Sequence, residues 1–313
     1  MSVYDVVIVG GGAAGLNAAL MLGRARRRIA VVDGGQPRNA PATAMHGFLS
    51  RDGMPPRELL AAGRAELESY GGEIIDGEVT GIDAGFYVRL GDGRVLKARR
   101  VLVATGLTDV LPDIAGLRER FGRDVLHCPY CHGYEVRDRP LGVIGSLHHA
   151  YLVRQWSPDL VFFSNGTEVS LEDREKLSAR GVKVVDGKVV RVAVTDDRLS
   201  AVELADGRTV ERSALFVAPK MVPNDRLLKD LGCVADDNGV VRVDAVGRTS
   251  EFGVFAAGNS VTPMATVIGA ASAGAQAGAF INAELVEEDF ADALDRSRAG
   301  TFGPEMERRV SRL

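Results

Sequence analysis

The chain has 313 residues, 46% of them hydrophobic and 26% charged, enough for two domains of ordinary size and too apolar for a disordered chain. Net charge is −4, against the basic excess that a nucleic-acid surface carries. No apolar run reaches the roughly 18 residues of a membrane helix, and the N-terminus lacks the basic start and cleavage site of a signal peptide, so a cytoplasmic protein with no nucleic-acid or membrane partner is expected.

The first 35 residues read as one βαβ unit: a strand from Tyr4 to Val9, a small-residue helix from Ala13 to Gly23 and a buried strand from Ile29 to Val32. A loop rich in Gly, Pro and Asn runs from Gly34 to about Met54, long enough to suspect function. Helical spacing follows from Arg57 to Tyr70, then strands at Ile74–Ile82, Phe86–Leu90 and Val95–Lys97, and a separate buried strand at Val101–Ala104. A second βαβ pattern opens after Pro140, with strands Leu141–Ile144 and Leu160–Phe163 around a helix holding Ala150–Gln155. Asp206-Gly207 marks a hairpin and Leu215–Ala218 another apolar strand. This order predicts an α/β protein of two Rossmann-like three-layer domains, the second inserted in the first. The expected split is 1–114 with 246–313, and 115–245.

Gly10-Gly11-Gly12-Ala13-Ala14-Gly15 lies between the first strand and helix and supplies Gly-x-Gly-x-x-Gly. The first glycine permits a tight turn, the second lets backbone approach a pyrophosphate, and the third lets helix and strand pack closely. The helix N-terminus then faces the negative charge. Asp33, followed by Gly34, ends the second strand 23 residues after Gly10, where a ribose-binding carboxylate belongs.

His127-Cys128-Pro129-Tyr130-Cys131-His132 sits immediately before the second βαβ pattern. Two cysteines spaced so can close a small redox disulfide, and flanking positive charge lowers thiol pKa values. A zinc site needs four ligands, and with Cys233 remote the set is incomplete, so no metal is expected. Cys233 follows an apolar stretch and reads as a small core residue.

Val101-Leu-Val-Ala-Thr-Gly106 and Gly253-Val-Phe-Ala-Ala-Gly-Asn259 resemble the second and third FAD patches of the low-molecular-weight thioredoxin reductase family, a likeness that extends to about Glu288. The resemblance implies FAD, held by Gly10, Gly12, Ala13, Ala14, Gly15, Asp33 and Gly34, by Ala104, Thr105 and Gly106, and by Gly258, Asn259, Thr266 and Val267. It also implies that Arg38, Asn39 and His46 lie along the isoalloxazine. Asn259 stands where the family usually has Asp; an amide keeps an acceptor and adds a donor. By the same resemblance Cys131 exchanges electrons with the flavin and Cys128 is the interchange thiol. The family's usual Asp after the second cysteine is replaced by His132, which, with His127 as the alternative, is a candidate proton carrier.

The second nucleotide motif departs from the pattern. In Gly145-Ser146-Leu147-His148-His149-Ala150, Leu147 stands where the middle glycine should be, and an isobutyl group obstructs backbone contact with pyrophosphate. The following strand ends Phe163-Ser164-Asn165-Gly166, without an acid for a ribose hydroxyl or basic residues for a 2′-phosphate. NADPH binding is therefore expected to be weak or absent, and His148 and His149 read as ordinary polar surface.

The Cys-Pro-Tyr-Cys-His-Gly-Tyr-Glu run, with Asp33 to Pro41 and His46 to Gly53, is similar to the branch holding the dithiol oxidases of gliotoxin, holomycin and romidepsin biosynthesis. That branch implies oxidation of a small-molecule dithiol, with electrons passed through FAD to oxygen. A reductase of thioredoxin or a similar protein, using NADPH or another donor such as ferredoxin, remains the alternative, and a non-catalytic flavoprotein a third reading. The family implies a homodimer. Beyond Asp289, Ala291–Arg298 and Glu305–Leu313 are possible short helices, either a solvated terminus or a segment crossing a dimer.

Overall fold

The structure is a computed structural model that describes residues 3–301. The chain forms two compact units. One takes the start of the chain to Gly35, Ala62–Gly106 and the stretch from Pro223 onward; the other takes Gln36–Ala61 and Leu107–Val222.

In the first unit, strand Val3–Val9 lies between Ile29–Asp33 and Val95–Val103 in parallel register, and Glu73–Asp76 adds a further parallel edge. Val254–Ala256 pairs parallel with the end of Val95–Val103, whose beginning instead pairs antiparallel with Tyr87–Leu90. The central strands are buried on both faces, which is why they read as continuous apolar runs. Val7, Val9, Val32 and Val103 pack toward Leu227, Leu228, Cys233 and Val241. The opposite face, with Ile8, meets helix Ala13–Arg24 at Gly15. Cys233 is thus a core residue, and burial pushes its thiol up.

Three expectations change. Val95–Lys97 and Val101–Ala104 are one strand, Val95–Val103, because the intervening arginines are satisfied in place. Buried Arg100 pairs with Glu284 and Glu288 of the last helix, and Arg99 reaches Asp289 at 2.7 Å. The predicted strand Ile74–Ile82 is broken into Glu73–Asp76 and Val79–Asp83 at Gly77, whose φ is 155°. The stretch Ala291–Arg298 is no separate element, since one helix runs Val267–Thr301. The predicted segment Glu305–Leu313 lies outside the described residues. Among the described residues no helix is long and apolar enough to cross a membrane.

The second unit has a five-stranded parallel sheet in the order Lys183–Val185, Leu160–Phe163, Leu141–Ile144, Ala214–Val217 and Val125–Leu126. An antiparallel sheet of Val189–Thr195, Arg198–Leu204 and Thr209–Glu211 covers one face through Val192, Leu199 and Val202. On the other face lie Ala150, Val153 and Leu177, from helices Leu147–Val153 and Leu171–Ala179. Each unit therefore shows the layered α/β arrangement that the alternating pattern predicts.

Candidate functional site

In the first unit the fingerprint residues gather at the carboxyl ends of the parallel strands, where open α/β sheets bind ligands. Gly10 takes φ 107°, and a Cβ there would meet the Ala104 carbonyl oxygen at 2.4 Å. A Cβ on Gly15 would meet the Gly10 carbonyl oxygen at 1.9 Å, so the helix sits directly on the turn. A Cβ on Gly12 meets nothing within 4 Å, which leaves that face of the turn open toward the helix N-terminus. These are the three separate duties of a dinucleotide turn, and the cradle fits a pyrophosphate.

Gly11 has a fourth duty that the fingerprint did not reveal. A Cβ on it would lie 2.6 Å from the Asp33 carboxylate, so its bareness lets Asp33 tuck under the turn. Asp33 is ion-paired with Arg64 and accepts the Gly35 N–H at 3.3 Å, just past Gly34. Ala104 continues the sheet by donating its N–H to Val9 at 2.7 Å. Thr105 and Gly106 are held by Asn224: Thr105 Oγ1 donates to the Asn224 carbonyl at 2.6 Å, and Asn224 Nδ2 and N donate to the Thr105 and Gly106 carbonyls. Asn224 carries no motif, and only the fold brings it here.

Gly258, with φ 77°, lies against Ala14, where an added Cβ would be 3.0 Å from that side chain. Asn259 Nδ2 donates toward three carbonyls, Thr262 at 3.2 Å, Pro263 at 3.0 Å and Ala265 at 2.9 Å. The amide thus ties down the loop before Thr266 and Val267, and its Oδ1 remains an acceptor. Thr266 accepts the Gly269 N–H through Oγ1 at 3.4 Å, capping the last helix, which begins at Val267. That helix packs backbone to backbone on the first one: a Cβ on Gly274 would meet the Ala14 carbonyl oxygen at 1.9 Å, and one on Gly278 the Ala18 carbonyl oxygen at 2.7 Å.

In the second unit the short strand Val125–Leu126 delivers His127 and Cys128 from the sheet edge. Cys128 N-caps the helical turn Pro129–His132, its Sγ accepting the Cys131 N–H at 3.2 Å, with proline in the first position. Cys128 and Cys131 form a disulfide, Cα–Cα 5.2 Å. Gly133 allows the turn to lie on Trp156, since a Cβ would come within 2.8 Å of the indole. Tyr130 meets the same ring edge-on at 5.6 Å and is itself exposed.

The flanking histidines are held uncharged. Burial, helped by His149 and Arg38, pushes His127 down to about 4. Burial also lowers His132, against an opposing pull from Glu135. Near neutral pH both imidazoles are therefore neutral, neither stands as a fixed cation beside the thiols, and His127 is left a weak base.

Arg38, Asn39 and His46 belong to this second unit. Arg38 forms a bidentate pair with Asp109 at 2.7 and 2.8 Å, and the Asn39 carbonyl accepts the Ala42 N–H at 3.0 Å. His46 lies between Asp52, 3.3 Å from Nδ1, and Glu135, 3.4 Å from Nε2, so it connects the long loop to the segment after the cysteines.

The second nucleotide motif is internally bonded. Gly145 makes the tight turn with φ 68°, and its carbonyl accepts Thr167 Oγ1 at 3.0 Å. Ser146 caps helix Leu147–Val153 through the His149 N–H at 3.3 Å. Asn165 Oδ1 accepts the Val189 N–H at 2.9 Å.

The sequence matches the model of the pyridine nucleotide-disulphide oxidoreductase family over residues 4–153 and 156–279. A curated relative, thioredoxin reductase sirT of Leptosphaeria maculans, is 31% identical over 93% of this chain and 97% of its own length. A probable thioredoxin reductase of Arthroderma benhamiae is 30% identical over 97% of this chain and 85% of its own. Among solved structures, HlmI superposes with a TM-score of 0.92 at 53% identity, covering 96% of this chain and 98% of that one. An oxidoreductase from Agrobacterium tumefaciens gives 0.86 at 38% identity, over 91% and 99%.

Proposed function

The chain belongs to the pyridine nucleotide-disulphide oxidoreductase family, and from that premise we propose that it is an FAD-dependent dithiol oxidase that takes electrons from a small-molecule dithiol and not from NADPH. The observation that carries the proposal is the internally bonded second nucleotide motif. Leu147 stands in place of the backbone-approach glycine, Ser146 consumes a helix N–H, and Asn165, uncharged and bonded through Oδ1 to the Val189 N–H, stands where an acid for a ribose hydroxyl would be. A nicotinamide cofactor fits poorly there. The glycine turn of the first unit fits FAD, through Gly10, Gly12, Asp33, Asn259 and the Thr266 cap. Bound there, FAD would accept the electron pair from the dithiol and pass it to oxygen.

The chain's own chemistry is thiol–disulfide exchange. A substrate thiolate attacks Cys128 Sγ, the Cys128–Cys131 bond breaks, and Cys131 leaves as a thiolate. The second substrate thiol, deprotonated as it attacks, closes the substrate disulfide and releases Cys128. Two electrons have then moved from the substrate to the protein pair. His132, uncharged near neutral pH, is the better suited of the two flanking histidines to accept a proton that leaves a substrate thiol, because His127, pushed down to about 4, is too weak a base to hold one. The exposed Tyr130 beside Trp156 offers an aromatic surface to an apolar dithiol.

The names of several relatives favour a second reading, reduction of a thioredoxin-like protein. One experiment separates the two. Under anaerobic conditions the flavin is mixed in a stopped-flow instrument with NADPH, NADH or dithiothreitol, and oxygen uptake is then followed with dithiothreitol in air. Bleaching by the dithiol alone, with oxygen consumed, is the expected result. Rapid bleaching by NADPH would sink the proposal.

A further inference from the structure

His148 and His149 open the helix Leu147–Val153, and the fold separates them: His148 is exposed and His149 is half-buried. The His149 ring is fixed at both nitrogens. Nδ1 lies 2.9 Å from Ser146 Oγ, and Nε2 lies 3.1 Å from the carbonyl oxygen of His127. A carbonyl can only accept, so Nε2 carries the hydrogen, and Nδ1 of the neutral ring accepts the Ser146 hydroxyl. Burial keeps the ring in that neutral form by lowering its pKa. The rings of His127 and His149 also stand 5.6 Å apart at 38°.

The His127 carbonyl is the last one before Cys128. The strand that leads to it, Val125–Leu126, ends one residue earlier, so the sheet no longer holds that peptide. Beyond it, the helical turn starts at Pro129, and Cys131 and His132 donate their N–H groups to the Cys128 carbonyl. The peptide between His127 and Cys128 is therefore the joint between sheet and turn, and His149 is bonded across it.

We propose that His149 is a positioning residue for the redox pair, its Nε2–H bond to the His127 carbonyl fixing the backbone from which Cys128 is presented. A segment that serves pyrophosphate in a nucleotide-binding fold thereby braces the cysteine turn. The proposal rests on the part of the functional reading that makes Cys128 the exchange thiol, and it is indifferent to whether oxygen or NADPH completes the cycle.

Exchange at Cys128 needs the incoming thiolate in line with the Cys128–Cys131 bond, so a loosened joint lowers the fraction of productive encounters. The test is the rate at which dithiothreitol opens the disulfide in the anaerobic holoenzyme. One dithiothreitol thiolate attacks Cys128 and Cys131 departs; the second then closes the cyclic disulfide, frees Cys128 and completes a two-electron transfer. Timed samples are quenched with iodoacetamide and alkylated Cys128 is measured by peptide mass, with flavin bleaching added to the count because each electron pair passed to the flavin closes the disulfide again.

Three substitutions separate positioning from bulk structure. Glutamine at 149 can place an amide N–H where Nε2 stands, whereas asparagine, one methylene shorter, reaches only the Nδ1 position. His149→Asn and His149→Ala are expected to slow exchange by about tenfold, the scale of one lost hydrogen bond. His149→Gln is expected to stay within about threefold of the parent. Flavin content and thermal midpoint are measured beside the rates, and if His149→Ala does not fold, the Gln and Asn pair decides alone. Unchanged or faster exchange in His149→Asn, or equal slowing in Gln and Asn, would overturn the proposal. Loss of oxygen uptake with the exchange pattern intact would count against the oxidase reading alone.

Discussion

Adding one methyl group to Gly274 tests the way the glycine turn is held in place. A Cβ at this position would lie 1.9 Å from the Ala14 carbonyl oxygen, 2.6 Å from its carbonyl carbon and 2.8 Å from its Cα. All three are backbone atoms, so no rotamer change relieves the contact, and one helix must move by about 1 Å to restore a normal separation. Alanine improves helix propensity by about 1 kcal/mol over glycine, while forcing an added carbon into a packed contact costs about 1–3 kcal/mol or more. With rigid backbone on the other side the upper end applies, and Gly274→Ala should destabilise the first unit by about 2 kcal/mol. A melting transition should fall by about 4–8 °C, followed by circular dichroism or by release of flavin fluorescence. Gly269→Ala, in the same helix, is the internal control, because its Cβ would approach nothing closer than Thr266 Oγ1 at 3.5 Å. That substitution should be neutral or stabilising by up to about 1 kcal/mol. Equal midpoints for the two variants, or a more stable Gly274→Ala, would refute the packing account of how the last helix is seated on the first.

Three further outcomes follow from the same structure. Cys128→Ser and Cys131→Ser should each remove dithiol-dependent oxygen uptake while leaving the flavin spectrum in place, because without the Cys128–Cys131 bond a substrate thiolate has no disulfide to open; retained oxygen uptake in either variant would contradict the exchange scheme. Asn259→Asp would set carboxylate oxygens against the carbonyls of Thr262, Pro263 and Ala265 in place of an amide donor; a loss of about 2 kcal/mol is expected, and a thermal midpoint equal to the parent's would count against it. His127 is lowered to about 4 and His132 and His149 are also lowered, all chiefly by burial. In the unfolded chain these histidines take up protons below about 6.5 while the folded chain does not. Stability should therefore be fully present above that value and fall as the pH drops from about 6.5 toward 4. Urea midpoints across that range should show a shallower slope in His127→Gln, and an unchanged slope would contradict this assignment.

Local chemistry determined much of this protein in advance. A tight turn beside a pyrophosphate admits only glycine, and strands buried on both faces must be apolar throughout, so Gly10, Gly12 and Gly15 and the strands around them were readable from spacing alone. The Cys128–Cys131 pair was readable for the same reason, since two thiols three residues apart close a disulfide within one helical turn. Partners distant in the chain were not readable. The union of Val95–Lys97 with Val101–Val103 depended on carboxylates of Glu284, Glu288 and Asp289 nearly 200 residues away. Gly11 and Arg64 around Asp33, and Asn224 on Thr105, carry no spacing signal, because each is matched to a group brought in by a different element. His149 shows the limit most plainly. In the sequence it is one of two adjacent histidines at a helix start; only the tertiary fold sets its Nε2 against the His127 carbonyl and leaves His148 in solvent. Residue type and spacing determine what a side chain can do, whereas a hydrogen bond 22 residues apart in sequence requires that the sheet first bring the two segments together.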